Sequence, residues 1–270
     1  MRTGVSTASL FNRKNNEDAL AFLDEIGVKT AEVFLTSFSE YGEEFGKILA
    51  ERKGQVCVLS VHDLNTQFEP QLFASNERVR TDAFYWLSKV MEAGKELGAK
   101  YYTFHGTARI KRSARSGQYD DFTSICKNFQ EIYEFCQSYG LKLCLENVEW
   151  ATYNRLGVFD KIRSAVPNLG GVLDVKQARI SGYDYRDYLT EMGENLTHVH
   201  LSDLDENGKI RLPGQGVSHF GETIDRLKDV GFDGALIIEV YKDDYLHLSE
   251  IKRSVEYLDE LLYKKNALTK

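Results

Sequence analysis

The sequence lacks the features that mark membrane, secreted or multidomain proteins. Only three of its 270 residues are proline, and no serine- or glycine-rich linker divides it. No apolar run approaches about 18 residues, the length of a membrane-spanning helix. Residues 1–11 carry no charged-then-apolar export signal. We therefore expect one soluble domain over residues 1–270, without a membrane partner.

Regularly spaced cysteine and excess positive charge are absent as well. The four cysteines form no CxxC pair, so we expect reduced, mostly buried thiols of a cytoplasmic protein. The formal net charge is −7, with both signs interspersed, which argues against a nucleic-acid partner. The sequence leaves open whether the chain forms a homo-oligomer.

What the sequence does contain is a recurring pattern: an amphipathic stretch, a glycine, two or three residues, and a short apolar run. Glycine suits the left-handed residue after a helix, and the apolar run suits a strand buried on both faces. Helices that feed buried strands repeatedly predict βα units and a parallel sheet. The pattern occurs at residues 23–35, 94–105, 138–147 and 228–240.

Eight such units fit the chain at about 34 residues each, which predicts an α/β fold with a single (β/α)8 TIM barrel. No glycine-rich phosphate turn follows the first strand, which disfavours the alternative of a doubly wound open sheet. The predicted strands are 3–8, 30–36, 55–62, 99–105, 142–147, 169–174, 196–201 and 234–240. The predicted helices are 16–26, 39–53, 75–97, 120–139, 158–165, 185–193, 220–230 and 246–263.

Six consecutive predicted strands end at or beside a side chain that can ligate a metal. In such barrels the active site forms at the C-terminal strand ends. Three of the six side chains are carboxylates that adjoin apolar runs. If they converged, their mutual repulsion would raise their pKa values unless a divalent cation lay between them. When each carboxylate is considered singly, a role as a strand-end cap or in an ion pair is a better explanation than metal binding. The carboxylates and histidine considered together favour a metal site. The six residues are His62, His105, Glu146, Asp174, His200 and Glu239.

The histidines differ in what they predict. His200 would complete a mixed nitrogen and oxygen shell suited to Mn, Zn, Co or Mg. A lone histidine after an apolar strand, such as His62 or His105, is a hydrogen-bonded structural residue as often as it is a functional one. His198 precedes His200 by two residues, so both side chains face the same side of the strand. We expect His198 to have a structural role deeper in the barrel.

At these residues the sequence resembles the xylose isomerase-like barrel superfamily of sugar phosphate isomerases and epimerases, over essentially the whole chain. This superfamily includes ketose 3-epimerases and metal-dependent abasic-site endonucleases. The resemblance is most specific at residues 145–147, 173–184, 198–216 and 237–241. The epimerase resemblance implies one metal ion held by Glu146, Asp174, His200 and Glu239.

Two departures separate the chain from the endonucleases, whose additional histidines on strands three and four correspond to His62 and His105. Gln177 stands where both subfamilies usually have histidine, and the endonucleases' Asp-x-His falls near residues 209–211. The third zinc of the endonucleases therefore has no ligand set here. Two ions bridged by Glu146 remain conceivable, and one ion is our prediction.

The resemblance implies metal-dependent isomerisation or epimerisation of a small sugar or sugar derivative through an enediolate. Glu146 and Glu239 would be the catalytic acid/base pair, and no organic cofactor is expected. A lyase or dehydratase acting on a related keto-polyol would use the same chemistry. An abasic-site endonuclease-like metallohydrolase and a non-catalytic sugar-binding barrel are further alternatives.

Several polar residues near the predicted strand ends are candidates for substrate binding. Arg211 would contact a hydroxyl or phosphate group, unless it is a solvated loop charge. Lys176 and Arg179 follow a metal-ligand candidate and suit an anionic group. The aromatic residues Trp150 and Phe68 suit either an apolar wall or local packing, and the basic stretch 109–117 suits a lid or a solvated loop. The predicted substrate-binding residues are His62, His105, Gln177, Arg211 and Lys176.

Overall fold

The computed structural model describes residues 1–64, 68–107 and 122–267, and the basic stretch 109–117 lies outside these ranges. Eight parallel strands close into a barrel, in which strands consecutive along the chain are neighbours and the last barrel strand pairs with the first. The barrel strands are β1 (Arg2–Ser6), β2 (Thr30–Leu35), β3 (Cys57–Asp63), β4 (Tyr101–Phe104), β5 (Lys142–Glu146), β6 (Gly170–Asp174), β7 (Leu196–Leu201) and β10 (Ala235–Ile238). The predicted (β/α)8 barrel is confirmed.

Helices alternate with these strands, and buried apolar residues on their inner faces pack against the barrel. They are α1 (Asn16–Glu25), α2 (Glu43–Arg52), α3 (Glu77–Leu97), α4 (Phe122–Ser138), α5 (Val158–Arg163), α6 (Val175–Ile180), α7 (Tyr185–Met192), α8 (Phe220–Asp229) and α9 (Ser249–Ala267). Within the described ranges, none of the helices has the length and apolar character needed to cross a membrane.

The glycine pattern of the sequence corresponds to real helix ends. At the end of α3, Gly98 has φ 70°. This left-handed backbone conformation is sterically unfavourable for residues that carry a Cβ atom. The other three glycines of the pattern also have positive φ, namely Gly27, Gly140 and Gly231. Each lies just after the end of its helix and before the next buried strand.

A short helix and a short hairpin are among the elements that the sequence analysis missed. The six-residue helix α6 follows β6 directly, because the Asp174 side chain accepts a hydrogen bond from Gln177 N (2.8 Å) and caps it. A two-stranded antiparallel hairpin, β8 (Asp203–Leu204) and β9 (Ile210–Arg211), follows β7. Both elements are too short to produce a hydrophobic period in the sequence.

The barrel register places the candidate ligands at one level. Asp174 on β6 pairs with His200 on β7, and His200 pairs in turn with Ile237 on β10. Glu239 lies two residues beyond Ile237 and therefore faces the same side. Although β10 ends at Ile238, Glu239 N still donates to the carbonyl of Leu201 (3.0 Å), which keeps this segment extended.

Candidate active site

The four predicted metal ligands converge at the C-terminal mouth of the barrel. Glu146 ends β5, Asp174 ends β6, His200 lies in β7 and Glu239 follows β10. All four side chains are buried, and each offers a ligand atom within 4.8 Å of the others. His200 Nδ1 lies 3.1 Å from Glu146 Oε1 and 3.5 Å from Glu239 Oε2.

The position of Asp174 is set by hydrogen bonds at both its backbone and its side chain. Asn147 Nδ2 donates to the Asp174 carbonyl (2.9 Å), and Asp174 N donates to Asn147 Oδ1 (2.8 Å). One carboxylate oxygen caps α6, so the other, Oδ2, remains available. It lies 3.7 Å from Lys176 Nζ, which is also buried.

Burial and neighbouring charges shift the pKa values in this cluster. Burial raises the pKa of Glu239 to about 7, although His200 opposes this shift. Burial also raises the pKa of Asp174. For Glu146, the effect of burial is outweighed by His200 and His105, and its pKa lies well below the ordinary value. Burial lowers the pKa of His200, but the surrounding carboxylates prevail and raise it well above the ordinary value.

These groups suit a divalent cation. Three buried carboxylates and one imidazole form a hard, mixed oxygen and nitrogen donor set. Glu239 Oε2 has no hydrogen-bond partner among the described residues, although it is buried. A cation would satisfy this atom and relieve the mutual repulsion of the carboxylates. The four residues therefore fit a metal ion.

The two strand-end histidines of β3 and β4 lie beside this cluster. His62 Nε2 is 3.1 Å from His105 Nε2, and His105 Nε2 is 3.1 Å from Glu146 Oε2. Burial and the neighbouring His105 lower the pKa of His62 to about 4. Burial lowers the pKa of His105, but hydrogen bonds with Glu146 and Glu69 prevail and raise it well above the ordinary value.

A cavity of about 260 Å³ opens above the cluster. Phe34, Trp150 and Tyr241 supply aromatic walls, and the Trp150 ring centroid lies 5.3 Å from that of His105. Phe68, in contrast, is fully buried in the core and has a packing role. The polar residues that line the cavity are His62, Asp63, His105, Glu146, Gln177 and Glu239.

The structure separates the predicted substrate-binding residues into two groups. His62, His105 and Gln177 line the cavity. Lys176 lies behind Asp174, with its ammonium group 4.6 Å from the centroid of the Tyr241 ring. Arg211 lies on the β8–β9 hairpin, where its Nη2 is 2.9 Å from Asp205 Oδ2. Arg211 is therefore engaged in an ion pair and is not among the cavity-lining residues.

Three buried carboxylates beneath and beside the site were missed from sequence. Glu32 lies in the middle of β2, within 3.0 Å of His200 Nε2. The Tyr102 hydroxyl lies 2.5 Å from Asp63 Oδ1 and 2.9 Å from Glu69 Oε1. The sequence did hold a signal for Glu32, because it interrupts the apolar run TAEVFL (30–35) as Glu146 and Glu239 interrupt theirs.

Comparison with known proteins identifies the family of the chain. The sequence model of the xylose isomerase-like TIM barrel family matches residues 20–261. The chain is 27% identical over 179 residues to the uncharacterised protein MJ1311 of Methanocaldococcus jannaschii, covering 61% of this chain and 58% of that protein. It is also 27% identical over 172 residues to an inosose isomerase of Halalkalibacterium halodurans, covering 59% and 60%.

Solved structures show the same fold. A D-tagatose 3-epimerase-like protein superposes with a TM-score of 0.77 at 21% identity, covering all of both chains. The IOLI protein with a bound zinc atom superposes with a TM-score of 0.76 at 17% identity, covering 98% of this chain and 99% of that one.

The fold and site define a (β/α)8 barrel with a carboxylate and histidine cluster at its C-terminal mouth. The chain belongs to the xylose isomerase-like TIM barrel family. It spans 58% and 60% of the lengths of the two curated relatives described above.

Proposed function

We propose that the chain is a divalent-metal-dependent isomerase or epimerase of a small sugar or sugar derivative. The observation that carries this proposal is the convergence of Glu146, Asp174, His200 and Glu239 below the cavity. The inosose isomerase relative and the epimerase-like structural neighbour support the same class of reaction.

Glu146 and Glu239 are the proposed acid/base pair. Both carboxylates line the cavity, and they come from different strands, β5 and β10. One removes a proton from a carbon next to the substrate carbonyl, and the electron pair of that C–H bond moves toward the carbonyl oxygen. Return of a proton by the other carboxylate from the opposite face inverts the carbon. Return to the adjacent carbon gives an isomer instead.

The ion would be held by Glu146, Asp174, His200 and Glu239, with Mn, Zn, Co and Mg as the candidates. When bound, it supplies polarisation of neighbouring carbonyl and hydroxyl oxygens and stabilises developing negative charge. The zinc atom of the structural neighbour supports a metal of this kind. No organic cofactor is required for this chemistry.

The cavity residues would orient the substrate. His62, His105 and Gln177 present ring nitrogens and an amide to sugar hydroxyls, and the aromatic walls cover the apolar face of a sugar ring. Lys176 lies behind Asp174, and its positive charge would attract an anionic group of the substrate. Arg211 would contact substrate only after leaving Asp205.

A substrate panel monitored for deuterium uptake from solvent tests this proposal. We expect exchange at a carbon next to the carbonyl for at least one ketose or inosose, because proton transfer to a carboxylate permits exchange with water. Product identification separates the isomerase from the lyase alternative, since dehydration loses one water from the substrate. No exchange across ketoses, inososes and keto-acids would contradict the proposal.

We further expect protein purified without added zinc to hold about one divalent ion per chain. His62, His105 and Glu146 also bring ligand atoms within 4.8 Å of one another, but this group offers one carboxylate, whereas the four-residue group offers three. Elemental analysis provides the measurement. Two fully occupied ions would instead favour metallohydrolase chemistry.

The same preparation should not cleave DNA. The net charge of −7 disfavours the many phosphate contacts that duplex binding requires. Binding to a duplex with an abasic site is measured at low salt, with cleavage followed on a gel. Tight, salt-sensitive binding with strand cleavage would replace the isomerase proposal by the endonuclease alternative.

A further inference from the structure

The barrel interior below the candidate ligands contains a buried carboxylate that the proposed reaction does not use. Glu32 on β2 is 0% exposed. Its Oε2 accepts hydrogen bonds from Ser60 Oγ (2.7 Å) and Thr103 Oγ1 (2.6 Å) and lies 3.1 Å from His198 Nε2. Three polar groups from three other strands therefore hold one oxygen of Glu32 in place.

The other oxygen of Glu32 faces His200. Glu32 Oε1 lies 3.0 Å from His200 Nε2. Neither atom has a hydrogen-bond partner in the described part of the chain, and the two buried atoms meet in an ion-pair contact. A buried carboxylate with a purely structural role would have both oxygens satisfied by its hydroxyl and histidine neighbours. Here one oxygen is committed to those neighbours and the other is directed at a candidate metal ligand.

The two nitrogens of His200 consequently have different environments. Nδ1 faces Glu146 Oε1 at 3.1 Å and Glu239 Oε2 at 3.5 Å, whereas Nε2 faces Glu32. An imidazole that ligates a metal through one nitrogen keeps its proton on the other. A carboxylate 3.0 Å from Nε2 stabilises a proton there and leaves the Nδ1 lone pair directed at the carboxylate cluster.

We propose that Glu32 is a positioning residue for the metal site: it holds His200 with the proton on Nε2, so that Nδ1 ligates the ion. The inference rests on the metal site of the proposed function but not on the identity of the substrate. A carboxylate that orients a ligating histidine in this way also raises its basicity, and losing it typically weakens metal binding about 10- to 100-fold.

The first test uses the unmodified chain loaded with zinc or cadmium and labelled at the histidine ring nitrogens. NMR identifies which nitrogen of His200 carries a proton and which is coupled to cadmium. We expect the proton on Nε2 and the metal on Nδ1. Ligation through Nε2 would overturn the assignment of Glu32, whatever the behaviour of any variant.

The second test is the affinity for zinc of Glu32→Gln, which removes the charge and keeps the shape. We expect affinity to fall about 10- to 100-fold and the Nε2 proton resonance of His200 to shift. Glu191→Gln is the matched control, because Glu191 is a half-buried carboxylate on the outer helix α7, where it accepts hydrogen bonds from the Tyr153 hydroxyl (3.0 Å) and from Gly157 N (2.9 Å). It should retain the wild-type affinity. A purely structural role for Glu32 would lower the melting temperature without altering affinity or the ligating nitrogen.

The outcomes separate this inference from the proposed function. Unchanged zinc affinity in folded Glu32→Gln overturns the role of Glu32 and leaves the isomerase proposal standing. Nδ1 ligation without exchange on any sugar overturns the isomerase proposal and supports Glu32. Failure of the unmodified chain to bind zinc or cadmium overturns both. If Glu32→Gln does not fold, the NMR result on the unmodified chain decides alone.

Discussion

Glu239→Gln should lose turnover while the barrel stays folded. The substitution removes a proton acceptor of the proposed reaction and keeps nearly the same shape, so we expect a loss of about 10²- to 10⁴-fold in kcat. Metal affinity should fall only in part, because Glu146, Asp174 and His200 remain. Deuterium exchange on the best substrate of the panel, zinc titration and circular dichroism measure the three effects.

The control for this substitution is Glu256→Gln, which makes the same chemical change on the exposed face of α9. It should match the unmodified chain in exchange rate and in zinc affinity. Turnover by Glu239→Gln at the wild-type rate would remove Glu239 from the mechanism. A complete loss of metal binding would assign Glu239 chiefly to the metal site and leave its role in proton transfer unsupported.

Removing the metal should abolish exchange and lower stability together. Without a cation, the buried carboxylates repel one another and no Lewis acid polarises the carbonyl. We expect exchange to fall to background after chelation and dialysis, and to return with Mn or Co. A metal present at 100 times its Kd stabilises the fold by about 2.7 kcal/mol, so the melting temperature should fall on its removal.

Chelator already saturated with metal serves as the control for effects of the chelator itself. It should change neither the exchange rate nor the melting temperature. Exchange that persists in demonstrably metal-free protein would show that the carboxylates and histidines suffice without an ion. A melting temperature that does not respond to added metal would contradict the proposed site.

Local sequence was enough to predict the barrel and to bring its four candidate ligands to one end of it. The glycines at helix ends depend only on a local φ requirement, which explains why the pattern ending at Gly98 corresponds to a real helix end. Glu146, Asp174 and Glu239 stand out because each interrupts or ends an apolar run. In any barrel of parallel strands the C-terminal strand ends lie together, so the proximity of these residues could be predicted without knowledge of side-chain contacts.

The partners of the inward-facing residues were decided by the tertiary structure. Glu32 meets Thr103 and His198, which lie 71 and 166 residues away along the chain, and Arg211 is paired with Asp205 across a short hairpin. The strand period of two determines which side chains point inward, but closure of the barrel determines which of them share a level. Burial at that level then shifts the pKa of Glu239 to about 7. These contacts and shifts depend on distances across the barrel, which no local pattern of residues encodes.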